Sequence, residues 1–284
     1  MPPRDHPTAR QARLGAELRK LRESAGMAAR EAAGLLSIDQ AKISHIEAGR
    51  VGVSEERIRR LATFYSCDDA GLIDALCTIA RERRGQFWWD EYRGVLSPGF
   101  LDIAELEHHA THLRYLQSVT FPGVFQTEDY ARALFAGVIP ALPDDEVEAR
   151  VEHRMKRRRI FERTAPPAFE ATIHEAALRM RIGGRKVMRT QLEFLMEVSE
   201  WPCVTLRVIP FTAEEFVEAT QTVLYAGGVV PQLDTVQIDT PFGGRFLDAV
   251  AELNKYRALL DFTHRVSLDP QESRQFIHHV AREL

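Results

Sequence analysis

Residues 26–49 read GMAAREAAGLLSIDQAKISHIEAG, and this stretch decides what kind of fold the chain begins with. A glycine stands at each end, Gly26 and Gly49, where helices commonly stop. Between them the spacing predicts two short helices, from about Ala28 to Leu36 and from Gln40 to Gly49. Ser37, Ile38 and Asp39 make the tight turn that joins them, with Asp39 as N-cap of the second. Ile43 and Ile46 fall together on the inner face of that second helix, leaving Gln40, Ala41, Lys42, Ser44 and His45 outside.

The flanks extend the same pattern. Leu14, Leu18 and Leu21 lie at helical spacing within residues 10–24, a single apolar stripe among arginines and lysines. Ser54 precedes Glu55 and Glu56 and then Ile58, Leu61 and Phe64, which predicts a capped amphipathic helix with acidic residues in its first turn. Residues 68–84 read as one more helix. Short helices with brief connections over residues 10–80 make an all-α bundle.

The register of residues 26–49 resembles, without a gap, the helix-turn-helix of the Cro/C1-type (Xre) repressors. Ala33 stands where that family packs its two helices closely, Ile38 and Ile43 at the buried positions around the turn, and ISHIEAGR resembles its I-S-x-I-E-x-G ending. The resemblance implies that the second helix enters the major groove of double-stranded operator DNA with its N-terminal residues on base edges. Gln40, Ala41 and His45 then fall at base-facing positions, with Lys42 and Ser44 beside them. Glutamine can pair with adenine N6 and N7, and an alanine methyl can meet the thymine methyl. Arg30, Lys42, Arg50 and the group Arg57, Arg59 and Arg60 are candidate phosphate contacts, which set register without reading sequence. Ala28 and Ala29 depart from the family, which usually has Ser or Thr followed by Gln there.

Charge is distributed to match. The 284 residues carry a net charge of −4, but residues 1–84 hold 15 basic and 12 acidic side chains, net +3, against 22 and 29, net −7, in the remainder. A mildly basic head on an acidic body fits a nucleic-acid module joined to a part with another task. With 45% hydrophobic and 27% charged residues the composition is that of a folded chain long enough for two domains. No apolar run is long enough for a membrane span, and the polar start MPPRDHPTARQARLG has no secretory apolar core, so a cytoplasmic location is expected. Cys67, Cys77 and Cys203 form no CxxC pair, which argues against a disulfide framework or a cysteine zinc site.

Residues 81–96 read as a linker rich in aromatics, with Trp88, Trp89 and Tyr92 packing between the two parts and Trp88 a ligand-facing candidate. From 97 to 284 the pattern alternates helices with a few strands: a long helix over LDIAELEHHATHLRYLQSV, a second over TEDYARALFAG and a third over DDEVEARVEHRMKRRRIFER. Strands are expected in PAFEATI, CVTLRVIPF, ATQTVLYAGG and DTVQID, with two helices about Gly183 and Gly184 and helices again at the end. The fold class is therefore mainly α with a small sheet (α+β), an all-α bundle followed by an α+β domain.

This second region resembles the C-terminal domain of WhiJ-like regulators of filamentous, sporulating bacteria. FPGVFQTEDYARAL is similar to their V-P-G-L-L-Q-T-x-x-Y-A-x-A-L signature, HEAALRMRIGG to D-E-x-A-L-x-x-x-x-G, and QLEFLMEVSEWPCVTLRVIPF to Q-L-x-x-L…V-x-V-x-P-F. The resemblance implies a transcription regulator whose C-terminal domain senses a small cognate protein or a small-molecule effector, or an antitoxin-like protein that neutralises such a partner and uses DNA binding for autoregulation. FTAEEFVEATQTVLY departs from the family by lacking its His- and Gly-containing loop. The turn Phe121, Pro122, Gly123 and the following Gln126 and Tyr130 present backbone donors and an amide near apolar surface, a place for a ligand anion or peptide carboxylate.

Other constellations are weaker. His108 and His112 lie at i, i+4 with Glu105 a turn earlier, but the H-E-x-x-H order of a zinc protease is missing, so no metal is expected. RMKRRR at 154–159 reads as a solvated charge run or a second phosphate face. Neither GGVVP nor PFGGR is a nucleotide loop, and no nucleophile has a recognisable partner, so no catalytic residue, no cofactor and no enzyme activity are expected. The expected assembly is a homodimer on two half-sites, because one short helix reads too few base pairs.

Overall fold

A computed structural model describes residues 7–82, 85–215, 221–240 and 243–284. The polar arm at 1–6 and residues 216–220 of the divergent stretch lie outside the described residues. The chain divides into two units: unit 1 runs through Glu91 and includes Gly228–Asp234, and unit 2 comprises Tyr92–Gly227 and Thr235–Leu284. The division thus falls inside the stretch read as linker, and the excursion of residues 228–234 into unit 1 has no signal in the sequence.

Unit 1 contains α1 (Ala9–Ser24), α2 (Ala29–Leu35), α3 (Gln40–Glu47), α4 (Glu55–Phe64) and α5 (Ala70–Arg81). Local chemistry sets these ends. Thr8, Asp39, Ser54 and Asp69 each accept a hydrogen bond from a backbone N–H of the first turn. The α2–α3 turn is made by Ser37 in a left-handed conformation (φ 53°), with the Ile38 N–H closing onto the Ala33 carbonyl at 3.0 Å. One apolar core, including Leu18, Ala32, Ile43, Ile46, Ile58, Leu61 and Leu76, joins the five helices, and Val230 and Leu233 pack on it. Each of these leucines and isoleucines, fully taken out of water, contributes about 1.5–3 kcal/mol.

Unit 2 is a six-stranded sheet between helices. Its strands are β1 (His112–Gln117), β2 (Ala168–His174), β3 (Val204–Ile209), β4 (Val223–Gly227), β5 (Thr235–Thr240) and β6 (Gly243–Leu247), in the order β3-β2-β1-β4-β5-β6. The three strands β3, β2 and β1 run parallel, and β4, β5 and β6 continue antiparallel. The helices are α6 (Pro98–His109), α7 (Glu128–Ala136), α8 (Asp144–Lys156), α9 (Glu175–Arg179), α10 (Arg185–Val198), α11 (Val250–Val266) and α12 (Pro270–Arg282). Strand alternation gives two cores. Leu113, Tyr115, Phe169, Ala171, Leu206 and Leu224 face a cluster with Leu192, Leu195 and Ile277, while Leu116, Val223, Tyr225 and Val236 meet Leu253 and Leu260 of α11.

The α+β class holds, with two corrections. The long helix expected over residues 101–119 ends at His109, and His112–Gln117 is the strand paired on both sides at the centre of the sheet. Leu106, Leu113 and Leu116 mimic helical spacing, and no glycine or proline marks the break; the gain of pairing two neighbouring strands overrides the local pattern. His112 therefore does not share a helix face with His108, and no cluster of metal-ligating side chains is found among the described residues. The second correction is β6, which the glycines of PFGGR conceal. Among the described residues no helix is long and apolar enough to cross a membrane.

Candidate functional site

In unit 1 the outer face of α3 is held by packing from behind. Ile43 and Ile46 are buried, as are Ala32 and Ala33 of α2. The C-terminal end of α3 lies directly on α1: a Cβ on Gly15 would stand 2.5 Å from the Glu47 carbonyl oxygen, and one on Gly49 (φ +71°) 2.8 Å from the Gln11 carbonyl. Arg22 of α1 donates to both carboxylate oxygens of Glu47, at 2.6 and 2.9 Å, and to the Met27 carbonyl at 2.8 Å. The Glu of the I-E-x-G ending is thus a clamp between helices and not a reader. Hydrogen bonds to Glu47 hold the Arg22 guanidinium above its usual range.

On the outer face Gln40, Ala41 and Ser44 are exposed and Lys42 and His45 half-buried. The Ser44 hydroxyl donates to the Gln40 carbonyl at 3.2 Å, which leaves its oxygen as an acceptor toward solvent. Arg30 and Arg50 are exposed. The basic side chains of unit 1 sort into two sets. Arg10, Arg13, Arg19, Lys20, Arg22, Arg59 and Arg81 each bind a carboxylate. Arg60 donates to the Leu35 carbonyl and lies over the Phe64 ring. Arg30, Lys42, Arg50 and Arg57, on α2, α3, the loop after it and α4, carry no ion pair or hydrogen bond from their side chains among the described residues. Arg30, Lys42 and Arg57 stand at the second or third position of their helices, where the helix dipole disfavours a cation by about 0.3–1 kcal/mol. An approaching phosphate removes that disadvantage.

In unit 2 three arginines of the basic run at 154–159, Arg154, Arg157 and Arg158, turn inward, while Arg159 is exposed. Arg157, 3% exposed, donates from Nε and Nη2 to Glu107 at 2.7 and 2.6 Å, and the Tyr115 hydroxyl donates to the same fully buried carboxylate. Burial alone would lower the Arg157 guanidinium, but Glu107 holds it above its usual range. Gly123 makes room for this group: a Cβ there would lie 2.7 Å from Arg157 Nη1. Arg158 donates to the carbonyls of Val124 and Gln126. Of these residues Tyr115, Gly123, Gln126 and Arg157 line a cavity of about 460 Å³ whose wall also includes Phe100 and Ile103 of α6, Gln117 of β1, Arg150 and Arg154 of α8, and Gln237 and Asp239 of β5. Arg154 donates through Nη1 to the Gln126 side-chain oxygen and stacks over Phe135 with its central carbon 4.8 Å from the ring centre. Burial, with Arg157 next to it, pushes the Arg154 guanidinium down to about 9.

Residues 100–279, well over half of the chain, match the domain of unknown function DUF5753. The chain belongs to the DUF5753 family. Residues 13–76 match a helix-turn-helix domain family, so unit 1 is a helix-turn-helix domain and the protein a DNA-binding regulator of transcription. No curated protein and no solved structure matches the chain.

The positions singled out in the sequence fall as follows. Gln40, Ala41, Lys42, Ser44 and His45 share α3, with Arg30 and Arg50 on the neighbouring α2 and loop. Of the phosphate candidates on α4, Arg59 is bound to Glu55 and Asp74 and only Arg57 is unengaged. In the DUF5753 region Gly123 and Gln126 line the cavity, whereas Pro122 and Tyr130 are buried off its wall. Trp88 belongs to unit 1, edge-on to Trp89 at 5.6 Å, and is not among the residues that line the cavity. Arg154, Arg157, Glu107, Gln117 and Gln237 were not visible as a group. Their one sequence signal is the arginine run, which reads as a solvated run or a second phosphate face; that solvated reading fits Arg159 and not the buried Arg157.

Proposed function

We propose that the protein is a sequence-specific regulator and not an enzyme, that it binds two operator half-sites as a homodimer with α3 in the major groove, and that its DUF5753 region senses a small-molecule effector. The observation that carries the DNA reading is the sorting of charges in unit 1. The cations of α1 and α5 are neutralised by carboxylates, and the unengaged ones lie on α2, on α3 itself, in the loop that follows it and on α4. Cations left without carboxylates on and next to a reading helix in sequence are what phosphate contacts require. The sensing part of the proposal is supported by a cavity of small-molecule size with polar groups converging on it.

The test is fluorescence anisotropy on DNA from the protein's own promoter region and on a shuffled duplex, across a salt series. The expected outcome is a preference of about a thousandfold for the native sequence, with log affinity falling linearly in log salt. Weak and equal binding to both duplexes overturns the reading. Gln40→Ala and His45→Ala are expected to relax preference at single base pairs by about 1–3 kcal/mol each while leaving random DNA unaffected.

A further inference from the structure

We propose that the cavity of unit 2 is a carboxylate-binding site, in which the Arg154 guanidinium and the Gln117 side-chain amide take the carboxylate of a small organic acid and Phe100 and Ile103 pack on its apolar body. The inference rests on the sensor reading above only for its biological use; the site itself stands on the geometry of unit 2.

Charge bookkeeping around the cavity selects Arg154. Arg157 is neutralised by Glu107, and Arg150 by Glu146 at 2.5 Å. Arg154 has no carboxylate within ion-pair distance among the described residues, and its one hydrogen bond goes to the neutral oxygen of Gln126. That bond uses Nη1; Nη2 carries none. Asp239 is the remaining acid on the cavity wall, exposed and accepting from Gln237 Nε2 at 2.6 Å. A guanidinium that Glu107 and Asp239 reach only through space, and that no carboxylate touches, in a concave, partly apolar place attracts an anion, and its planar fork matches an oxyanion.

Gln117 is a second and independent pointer. It is 3% exposed and lines the cavity from the middle of the sheet. Its oxygen already accepts from the hydroxyls of Thr120 at 3.0 Å and Thr222 at 3.2 Å, so its amide N–H groups, which have no partner, are left for an occupant. A buried amide is seldom left half-used unless something else satisfies it. The net charge of the wall then decides the class of anion. Arg154 and Asp239 are the unpaired charges of the wall and cancel in sum, so a monoanionic carboxylate adds one negative charge and a phosphate monoester close to two, and the smaller excess favours the carboxylate.

The experiment is isothermal titration calorimetry on the full chain with benzoate, with its neutral counterpart benzamide, and with inorganic phosphate, all at millimolar concentration. Benzoate is expected to bind at one site per chain, and benzamide and phosphate at least about tenfold more weakly. Arg154→Gln is expected to cost benzoate at least tenfold, Arg154→Lys less, and Arg189→Gln, an exposed arginine of α10, nothing. In the unaltered chain, the Arg154 side-chain NMR signals shift on saturation with benzoate, a readout that does not depend on any variant folding. Absence of benzoate binding, equal binding of benzamide, tighter binding of phosphate, or an unmoved Arg154 signal each overturns the proposal. Repeating the promoter-DNA titration with benzoate present separates the two readings: bound benzoate with unchanged DNA affinity leaves the site standing and removes the sensor reading.

Discussion

The two units use arginine in opposite ways. Unit 1 keeps the exposed Arg30 and Arg50 and the half-buried Arg57 without acidic partners among the described residues, available to an external polyanion. Unit 2 turns Arg154, Arg157 and Arg158 inward, where each must be satisfied by a carboxylate, an amide or a carbonyl, and only Arg154 is left short. A cation at a surface therefore says little until its neighbours are counted, and a cation in an interior says what is missing around it.

The contrast breaks most visibly at Glu107. Glu107→Ala leaves Arg157 charged, buried and without its carboxylate, and is expected to destabilise unit 2 by about 3–5 kcal/mol. Differential scanning calorimetry reads this as a lowered transition for unit 2 with DNA binding kept below that transition. A loss within 1 kcal/mol, on the order of a surface pair, would mean that the pair is hydrated and the interior reading wrong. Next in size is Gly15→Ala. The new methyl meets the carbonyls of Ile46 and Glu47, backbone atoms that cannot step aside. Overpacking of about 3 kcal/mol against a helix-propensity gain of about 1 kcal/mol predicts a net loss near 2 kcal/mol in unit 1 and displacement of α3. DNA affinity should fall while the transition of unit 2 stays; intact binding would remove the close packing of α1 on α3 from the account.

Acid sharpens the comparison further. Burial first, then Arg157, Arg154 and Lys156, pushes the His153 imidazole down to about 3, and its ring packs edge-on against Tyr92 and Phe100 at 5.1 and 5.8 Å. An unfolded histidine titrates near 6.5, so between about pH 6.5 and pH 3 the unfolded chain holds a proton that the folded one refuses. Stability consequently falls as pH drops through that window, by up to about 1.4 kcal/mol per pH unit from this group. His153→Phe is expected to flatten the acid slope of unit 2 by that amount in urea unfolding at several pH values. Equal slopes in the two proteins would show that His153 takes up its proton when folded.

Much of unit 1 was legible in the sequence because its signals are local: Asp39 and Ser54 as caps, Ile43 and Ile46 at helical spacing, and a turn that needs only residues 36–39. Unit 2 yielded its class but not its centre. The strand His112–Gln117 is made a strand by partners from residues 168–173 and 223–227, which no window along the chain contains. The cavity is less local still, since Gln117, Gln126, Arg154 and Gln237 meet only after the sheet has closed. The inward turn of Arg157 in the run 154–159 is hidden for the same reason: Glu107, which neutralises it, lies 50 residues away.

The smallest expected effect asks whether counting neighbours is a valid guide. Arg50 and Arg59 are both exposed arginines of unit 1, alike in composition and differing in company. Arg59 is held by Glu55 at 3.0 Å and Asp74 at 2.8 Å, and these carboxylates keep it above its ordinary range. Arg50 has no such partners. If Arg50 meets a phosphate, Arg50→Ala should weaken specific and random DNA alike by a few-fold and reduce the slope of log affinity against log salt by about 0.9. Arg59→Ala should change neither, because binding DNA through Arg59 would require breaking two pairs to make one. The same anisotropy series measures both variants. Equal slopes for the two would mean that surface pairing, worth about 0–1 kcal/mol, is too weak to withhold an arginine from DNA, and the sorting of cations that supports α3 as the reading helix would lose its force.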